Sequence, residues 1–291
     1  MDITTWMNKN TLSLAGKTVA ISGATGGIGQ ELCRHLVSLG AHLVLLDRNQ
    51  HKSHALAENL RALSPSTCIR RIALDLEDVA QVKQAARQLE ALPIDVLILN
   101  AGIYQVPRHK CATGLDNVFQ VNFATPYYLA HTLLPHLNSR GGKVVAVGSI
   151  AHTNSPTDRE DIDFSTRDKS SLVYGNSKRF LMYALYGLYD GKPGLAITHP
   201  GITLTNISAH HPPLVFNLIK GPMKVIFMDP KKASLSILRG VFEDCGKNEW
   251  IGPRWFDIWG RPVKSNLDSC PEDEAKWIFE QAEEIFQEMR K

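Results

Sequence analysis

The 291-residue chain predicts an α/β fold, a doubly wound parallel sheet of Rossmann type, with a C-terminal extension forming a substrate lid. Three observations predict it. Short, nearly all-apolar runs alternate with helix-like stretches from Thr18 to His199, as strands buried on both faces of a parallel sheet must. A glycine-rich turn follows the first run and opens a helix. No Pro-, Gly- or Ser-rich linker and no internal repeat interrupts the chain, so 1–291 reads as one domain with a lid and tail over about 206–291.

In order, the strand-like runs are Thr18–Ser22, Leu43–Leu46, Ile69–Leu74, Val96–Leu99, Lys143–Val147 and Leu195–His199. Each is β-branched or Leu-rich. Between them, apolar residues recur at helical spacing over Gly29–Leu39, Lys52–Leu63, Val79–Leu92, Gly114–Leu137 and Tyr174–Tyr189. Such alternation argues for right-handed βαβ units. Beyond Pro212 the pattern is less regular and carries Pro and Trp. A last amphipathic helix, Glu272–Lys291, places Ile278, Phe279, Ala282, Ile285 and Phe286 on one face.

Composition excludes several classes. With 44% hydrophobic and 21% charged residues the chain is neither disordered nor fibrous. Thirty-two basic against 29 acidic residues give +3, too balanced for a nucleic-acid binder. Cys33, Cys68, Cys111, Cys245 and Cys270 are scattered, which reads as reduced thiols in a cytoplasmic protein. The first ten residues lack the apolar run of a signal peptide. Pro212–Met228, the longest apolar region, is broken by Asn217, Lys220, Pro222 and Lys224 and is too short to span a bilayer. Peripheral contact with a membrane stays open. His210 and His211 lack partners at ligand spacing, so no metal site is predicted.

The turn is Ser22-Gly23-Ala24-Thr25-Gly26-Gly27-Ile28-Gly29. A strand, a glycine turn and a helix N-terminus present free N–H groups and a positive dipole end to a pyrophosphate. Asp47, ending the second strand, suits the adenosine ribose hydroxyls of NAD and repels a 2′-phosphate. Arg48 beside it could hold that phosphate, so NAD is favoured and NADP possible.

With these features the chain resembles the short-chain dehydrogenase/reductase family over about Leu14 to Thr205. The turn fits two of its glycine spacings, and Asn100-Ala101-Gly102 after the fourth strand resembles the single-domain group. The resemblance implies that Asp75 and Leu76 line the adenine pocket, although Asp75 could instead cap the next helix. It also implies that Asn122 interrupts a helix and holds a water. Pro200, Gly201 and Thr205 would contact the nicotinamide end.

Tyr174 and Lys178, four apart, share one helix face. A phenol titrates near ~10 in water, and a neighbouring ammonium plus an oxidised nicotinamide would lower that value by ~3 units. The resemblance makes Tyr174 the proton donor or acceptor, Lys178 the partner of the nicotinamide ribose, and Ser149 the donor to the reacting oxygen. The activity implied is hydride transfer between NAD(P) and an alcohol or carbonyl. Alternatives are a nucleotide-sensing regulator without chemistry and, further behind, a methyltransferase.

Two departures mark this chain. The insert His152–Leu172 with Ile162-Asp163-Phe164, and the later Ile251-Gly252-Pro253 and Gly260-Arg261-Pro262, resemble the retinol-dehydrogenase-like branch. Asp190–Gly194 stops the Tyr174 helix early, which puts the family's usual four-helix dimer in doubt. The stripe Phe180, Leu181, Ala184, Leu185, Leu188 reads first as core and second as an interface, so a homo-oligomer stays possible. Apolar residues of Pro212–Met228 point to an apolar substrate.

Overall fold

The computed structural model describes residues 2–203, 228–267 and 270–291. Eight strands form one sheet: β1 (Thr18–Ser22), β2 (His42–Asp47), β3 (Ile69–Ala73), β4 (Val96–Leu99), β5 (Lys143–Val147), β6 (Leu195–Thr198), β7 (Glu249–Trp255) and β8 (Trp259–Asn266). Their order is β3-β2-β1-β4-β5-β6-β7-β8. All pairings are parallel except the terminal β7–β8 hairpin. The first six strands lie where the apolar runs predict them.

Successive strand residues face opposite sides of a sheet, and both sides are buried here. Ala20, Val44, Leu97 and Ala146 point into one core; Val19, Ile21, Leu43, Val96 and Val145 point into the other. The first core is covered by α4 (Val79–Glu90), α6 (Thr125–Ser139), α7 (Ser170–Tyr189) and α9 (Glu272–Arg290). The second is covered by α2 (Gly27–Ser38), α3 (Gln50–Leu63) and α8 (Pro230–Phe242), with α1 (Ile3–Asn10) inserting Trp6. Among the described residues no helix is long and apolar enough to cross a membrane.

Three sequence expectations need correction. The helix expected from Gly114 starts at α5 (Asn117–Phe119), because Asp116 is its cap and accepts from Val118 N at 2.9 Å. It then widens into a π-helical turn over Gln120–Ala124 before α6. The irregular tail contains α8 and the β7–β8 hairpin, whose alternation is masked by prolines at Pro253 and Pro262. The N-terminal α1, polar and short, was not expected at all. Residues 212–227 of the expected lid lie outside the described residues.

The α7 stripe is core. Phe180, Leu181, Ala184 and Leu185 are at most 1% exposed, and the chain's own α9 lies on this helix, with Trp277 5.8 Å from Phe180. A Cβ on Gly187 would come within 2.5 Å of the Phe279 ring, so glycine is what lets the two helices approach. The helix ends where Asp190 turns left-handed at φ 45°, as the early stop predicts.

A buried ion pair fixes α9 to α7. Arg179 donates from Nε and Nη2 to Glu274 Oε1 and Oε2 at 2.8 and 2.7 Å. Thr157 adds its N–H and hydroxyl at 3.2 and 2.8 Å. Burial by itself would raise the Glu274 pKa; these hydrogen bonds and the guanidinium charge outweigh it and bring the group to about 2. Replacing one partner of such a pair strands the other. Glu274→Gln is therefore expected to cost about 3 kcal/mol in urea unfolding at neutral pH. The wild-type advantage should be complete above the unfolded-state value of 4.5 and vanish as pH falls toward about 2.

Candidate active site

At the carboxyl ends of the strands, β1 and β4 feed connections that leave in opposite directions, and a crevice opens between them. It has two adjoining parts of about 440 and 360 Å³. Gly23, Gly26, Ala101 and Gly102 border both, so the parts form one elongated trough.

The glycine turn makes its floor. Gly23 adopts φ +67°, and a Cβ there would sit 2.9 Å from Ala101 Cα. A Cβ on Gly29 would sit 2.3 Å from the Gly23 carbonyl oxygen, which helix-to-turn packing forbids. Gly26 begins α2 with no side-chain cap. The first-turn N–H groups around Gly27, Ile28 and Gly29 therefore face the trough with nothing on them from a cap.

Ser22 departs from expectation. It is 2% exposed and braces the strands: its hydroxyl donates to Ile98 O at 3.4 Å and accepts from Asn100 N and Ala101 N, each at 3.1 Å. Asn100 Nδ2 donates back to the Ser22 and Gly23 carbonyls, both at 3.0 Å. These bonds set the spacing of the two strand ends that frame the trough.

At one end lie Asp47, Arg48, Lys52, Asp75 and Leu76. The Asp47 carboxylate is already engaged: it accepts from Thr25 N and Oγ1 at 3.0 and 3.1 Å and from Ser53 Oγ at 3.0 Å. Burial raises its pKa and the bonds from Thr25 and Ser53 oppose the rise. Arg48 and Lys52 are exposed beside it. Asp75 is not the helix cap; that is Asp78, accepting from Ala80 N and Gln81 N at 2.9 and 3.2 Å.

Ser149, Tyr174 and Lys178 meet at the other end, beneath Pro200 and Gly201. Ser149, two residues past the end of β5, caps the 3₁₀ turn Ile150–Asn154, accepting from Ala151 N at 3.2 Å. Its hydroxyl also lies close enough to the Tyr174 phenol to pull that group's pKa down. Lys178 is 2% exposed; its Nζ donates to Val147 O at 2.8 Å and lies 5.9 Å from the Tyr174 ring centre. Burial lowers the Lys178 pKa to about 8.

In the chain by itself the phenol is pushed upward. Burial raises Tyr174 to about 12, only partly opposed by the Ser149 hydrogen bond, and Tyr104 raises it further. The lowering that the sequence predicts combines Lys178 with an oxidised nicotinamide, and in the chain by itself burial dominates. Asn122 stands in the π-helical turn, fully buried, and holds Ile103 from both sides: Oδ1 accepts from its N–H at 2.8 Å and Nδ2 donates to its carbonyl at 3.0 Å. Nδ2 also donates to Ser177 Oγ at 3.1 Å, tying this turn to the Tyr174 helix. Thr205 lies outside the described residues.

Sequence reading missed Tyr104, whose ring packs 5.1 Å from that of Tyr174 and lines the reacting end. It also missed His199, buried against Trp250 at 5.1 Å in a 6° stack, whose burial pushes its pKa down to about 4 and keeps it neutral. Their positions two residues after Gly102 and one before Pro200 were the available signals. Trp255, Phe256 and Trp259 are exposed at the β7–β8 turn, whose Ile258 carbonyl approaches Gly201.

A sequence profile described as short chain dehydrogenase matches residues 17–158. Mouse polyprenol dehydrogenase is 32% identical over 210 residues, covering 67% of this chain and 62% of its own. Mouse retinol dehydrogenase 12 is 30% identical over 204 residues, covering 68% and 65%. This chain thus spans less than two thirds of the length of both relatives. Among solved structures, a Sphingobium yanoikuyae short-chain dehydrogenase in complex with NADPH superposes with TM-score 0.61 at 25% identity, over 77% of this chain and 83% of that one.

Two glycines of the turn predict different failures. Gly29→Ala should lower the melting temperature by several degrees, about 2 kcal/mol of strain, because its Cβ meets backbone. Gly26→Ala meets only Gly23 O at 3.4 Å and should melt like wild type while losing pyrophosphate-ligand binding by titration. Equal melting points would refute the distinction.

Proposed function

This chain belongs to the short-chain dehydrogenase/reductase family, and on that premise we propose that it is an NAD(P)-dependent oxidoreductase acting on an alcohol or its carbonyl. One observation carries the reading. Ser149, Tyr174 and Lys178 converge at one end of a trough whose floor is a glycine-cradled helix N-terminus. The cradle fits a dinucleotide: Gly23, Gly26 and Gly102 line both parts of the trough, and a Cβ on Gly102 would crowd Asn122 Oδ1 at 3.2 Å. The reading takes 1–291 as one dinucleotide-binding domain, with 206–291 completing the substrate end.

When bound, the nicotinamide supplies or accepts the hydride. The chain's own residues handle the proton. Tyr174, kept neutral by burial at about 12, is matched to donating a proton to a carbonyl oxygen in reduction. In oxidation it must become a base, which requires positive charge to arrive with the oxidised cofactor. Ser149 holds the reacting oxygen beside the phenol. Lys178 would hold the nicotinamide ribose hydroxyls and, with a water at the Asn122 turn, would pass the proton outward. A regulator that only senses nucleotide would have no use for this convergence.

Cofactor choice turns on Asp47. The sequence favours NAD through that carboxylate, but three hydrogen bonds already engage it and it is 2% exposed. Arg48 and Lys52 stand exposed beside it. We read the site as taking both cofactors, with these two cations receiving a 2′-phosphate. The polyprenol and retinol relatives and the exposed aromatic hairpin beside Gly201 both support an apolar substrate.

Tyr174→Phe should cut turnover at least about a hundredfold on a panel of retinoid, steroid and long-chain alcohols, with nucleotide affinity unchanged. Retained turnover would sink the assignment. Arg48→Ala should raise KM for NADP by roughly tenfold, one charge-assisted contact, and leave KM for NAD in place. An equal effect on both would mean that Arg48 does not read the phosphate.

A further inference from the structure

Away from the reacting groups, Glu77, His109 and Cys111 gather on the outer wall of the adenosine end. Their candidate ligand atoms all lie within 4.8 Å of one another, and Glu77 Oε2 is 3.1 Å from His109 Nε2. We propose that these three residues form a binding site for a divalent transition-metal cation with zinc-like ligand preference. A thiolate, an imidazole and a carboxylate are the donor types that zinc takes, while calcium and magnesium would ask for oxygen alone. Tetrahedral bonds of about 2.0–2.3 Å place donors about 3.5 Å apart, so the three ligand atoms must draw together to close on an ion. Solvent would fill the fourth position, since His109 is exposed and the other two are half-buried.

The scaffold under the three residues is fixed. Lys110 bridges Asp116 in antiparallel fashion, so His109 and Cys111, two apart on an extended segment, project to the same side. Cys111 N donates to Leu115 O at 2.8 Å and Asn117 N to His109 O at 3.0 Å. Fully buried Gln120 donates to the Glu77 carbonyl at 2.7 Å, clamping the Glu77 turn to the helix that follows the loop. Asp75 and Asp116 add negative field at Cys111, which a dication would relieve; Arg108 already pairs with Asp116 at 2.8 Å. Because Glu77 also borders the trough next to Asp75 and Leu76, a cation here would tie the 103–116 loop to the wall of the adenosine end. No spacing in the sequence announces the site, for Glu77 stands 32 residues before His109.

The test uses the full reduced chain titrated with Co²⁺, whose bond to a thiolate gives a charge-transfer absorption, and with Zn²⁺ by calorimetry. Wild type should bind one equivalent of either ion with the thiolate band. Cys111→Ser should abolish the band, and His109→Gln should weaken Zn²⁺ binding roughly tenfold or more. Either an unchanged band in Cys111→Ser, unchanged affinity in His109→Gln, or no binding by wild type would overturn the proposal. Neither variant touches Tyr174, Ser149 or Lys178, so the outcome is independent of the oxidoreductase reading.

Discussion

The reacting end is organised around an ammonium held out of water. Lys178 is 2% exposed, and its charge rests on the carbonyl of Val147 at the end of β5. An ammonium in such a place is costly unless partnered, and the carbonyl is the partner that the structure provides. This contact ties α7 to the end of β5, one turn after Tyr174. Ser149, two residues beyond Val147, is then brought against the phenol by the same strand end. Three side chains from two elements are located by one buried cation.

The opposite surface of α7 is set by a different constraint. Gly187 admits the Phe279 ring, and Arg179 clamps Glu274. The chain therefore closes its own helix face with α9, a face that an α7-to-α7 contact between copies would need open. Arg179 also donates to the His152 carbonyl at 3.3 Å, which carries the clamp to the turn after Ser149. The insert His152–Leu172 is anchored as well: Asp163 accepts from Asp116 N at 2.7 Å, and Arg108 donates to Phe164 O at 2.7 Å. That anchoring ties the insert to the 103–116 loop and gives the Ile162-Asp163-Phe164 motif a physical task.

The fold was legible where burial writes a period into the sequence. Runs such as Val96–Leu99 can only be doubly buried strands, and the six of them fix the parallel core. The hairpin β7–β8 was not legible, because prolines and an exposed aromatic turn erase its alternation. Ser22 opens the glycine turn in the sequence; that its hydroxyl joins two strand ends shows only in the structure. Tyr104 and His199 escaped notice because a lone aromatic or histidine beside a motif carries no spacing of its own.

By itself the sequence determined the βαβ architecture, the glycine cradle, and the pairing of Tyr174 with Lys178 on one helix face. Those features are local, set by strand period, helix period and the steric freedom of glycine. Tertiary structure decided what depends on surroundings: that burial raises the phenol while the ammonium is drawn to Val147, that Asp47 is engaged by Thr25 and Ser53, and that α9 covers α7. Proton affinity and hydrogen-bond commitment are properties of an environment assembled from distant segments, and no single stretch of sequence contains that environment.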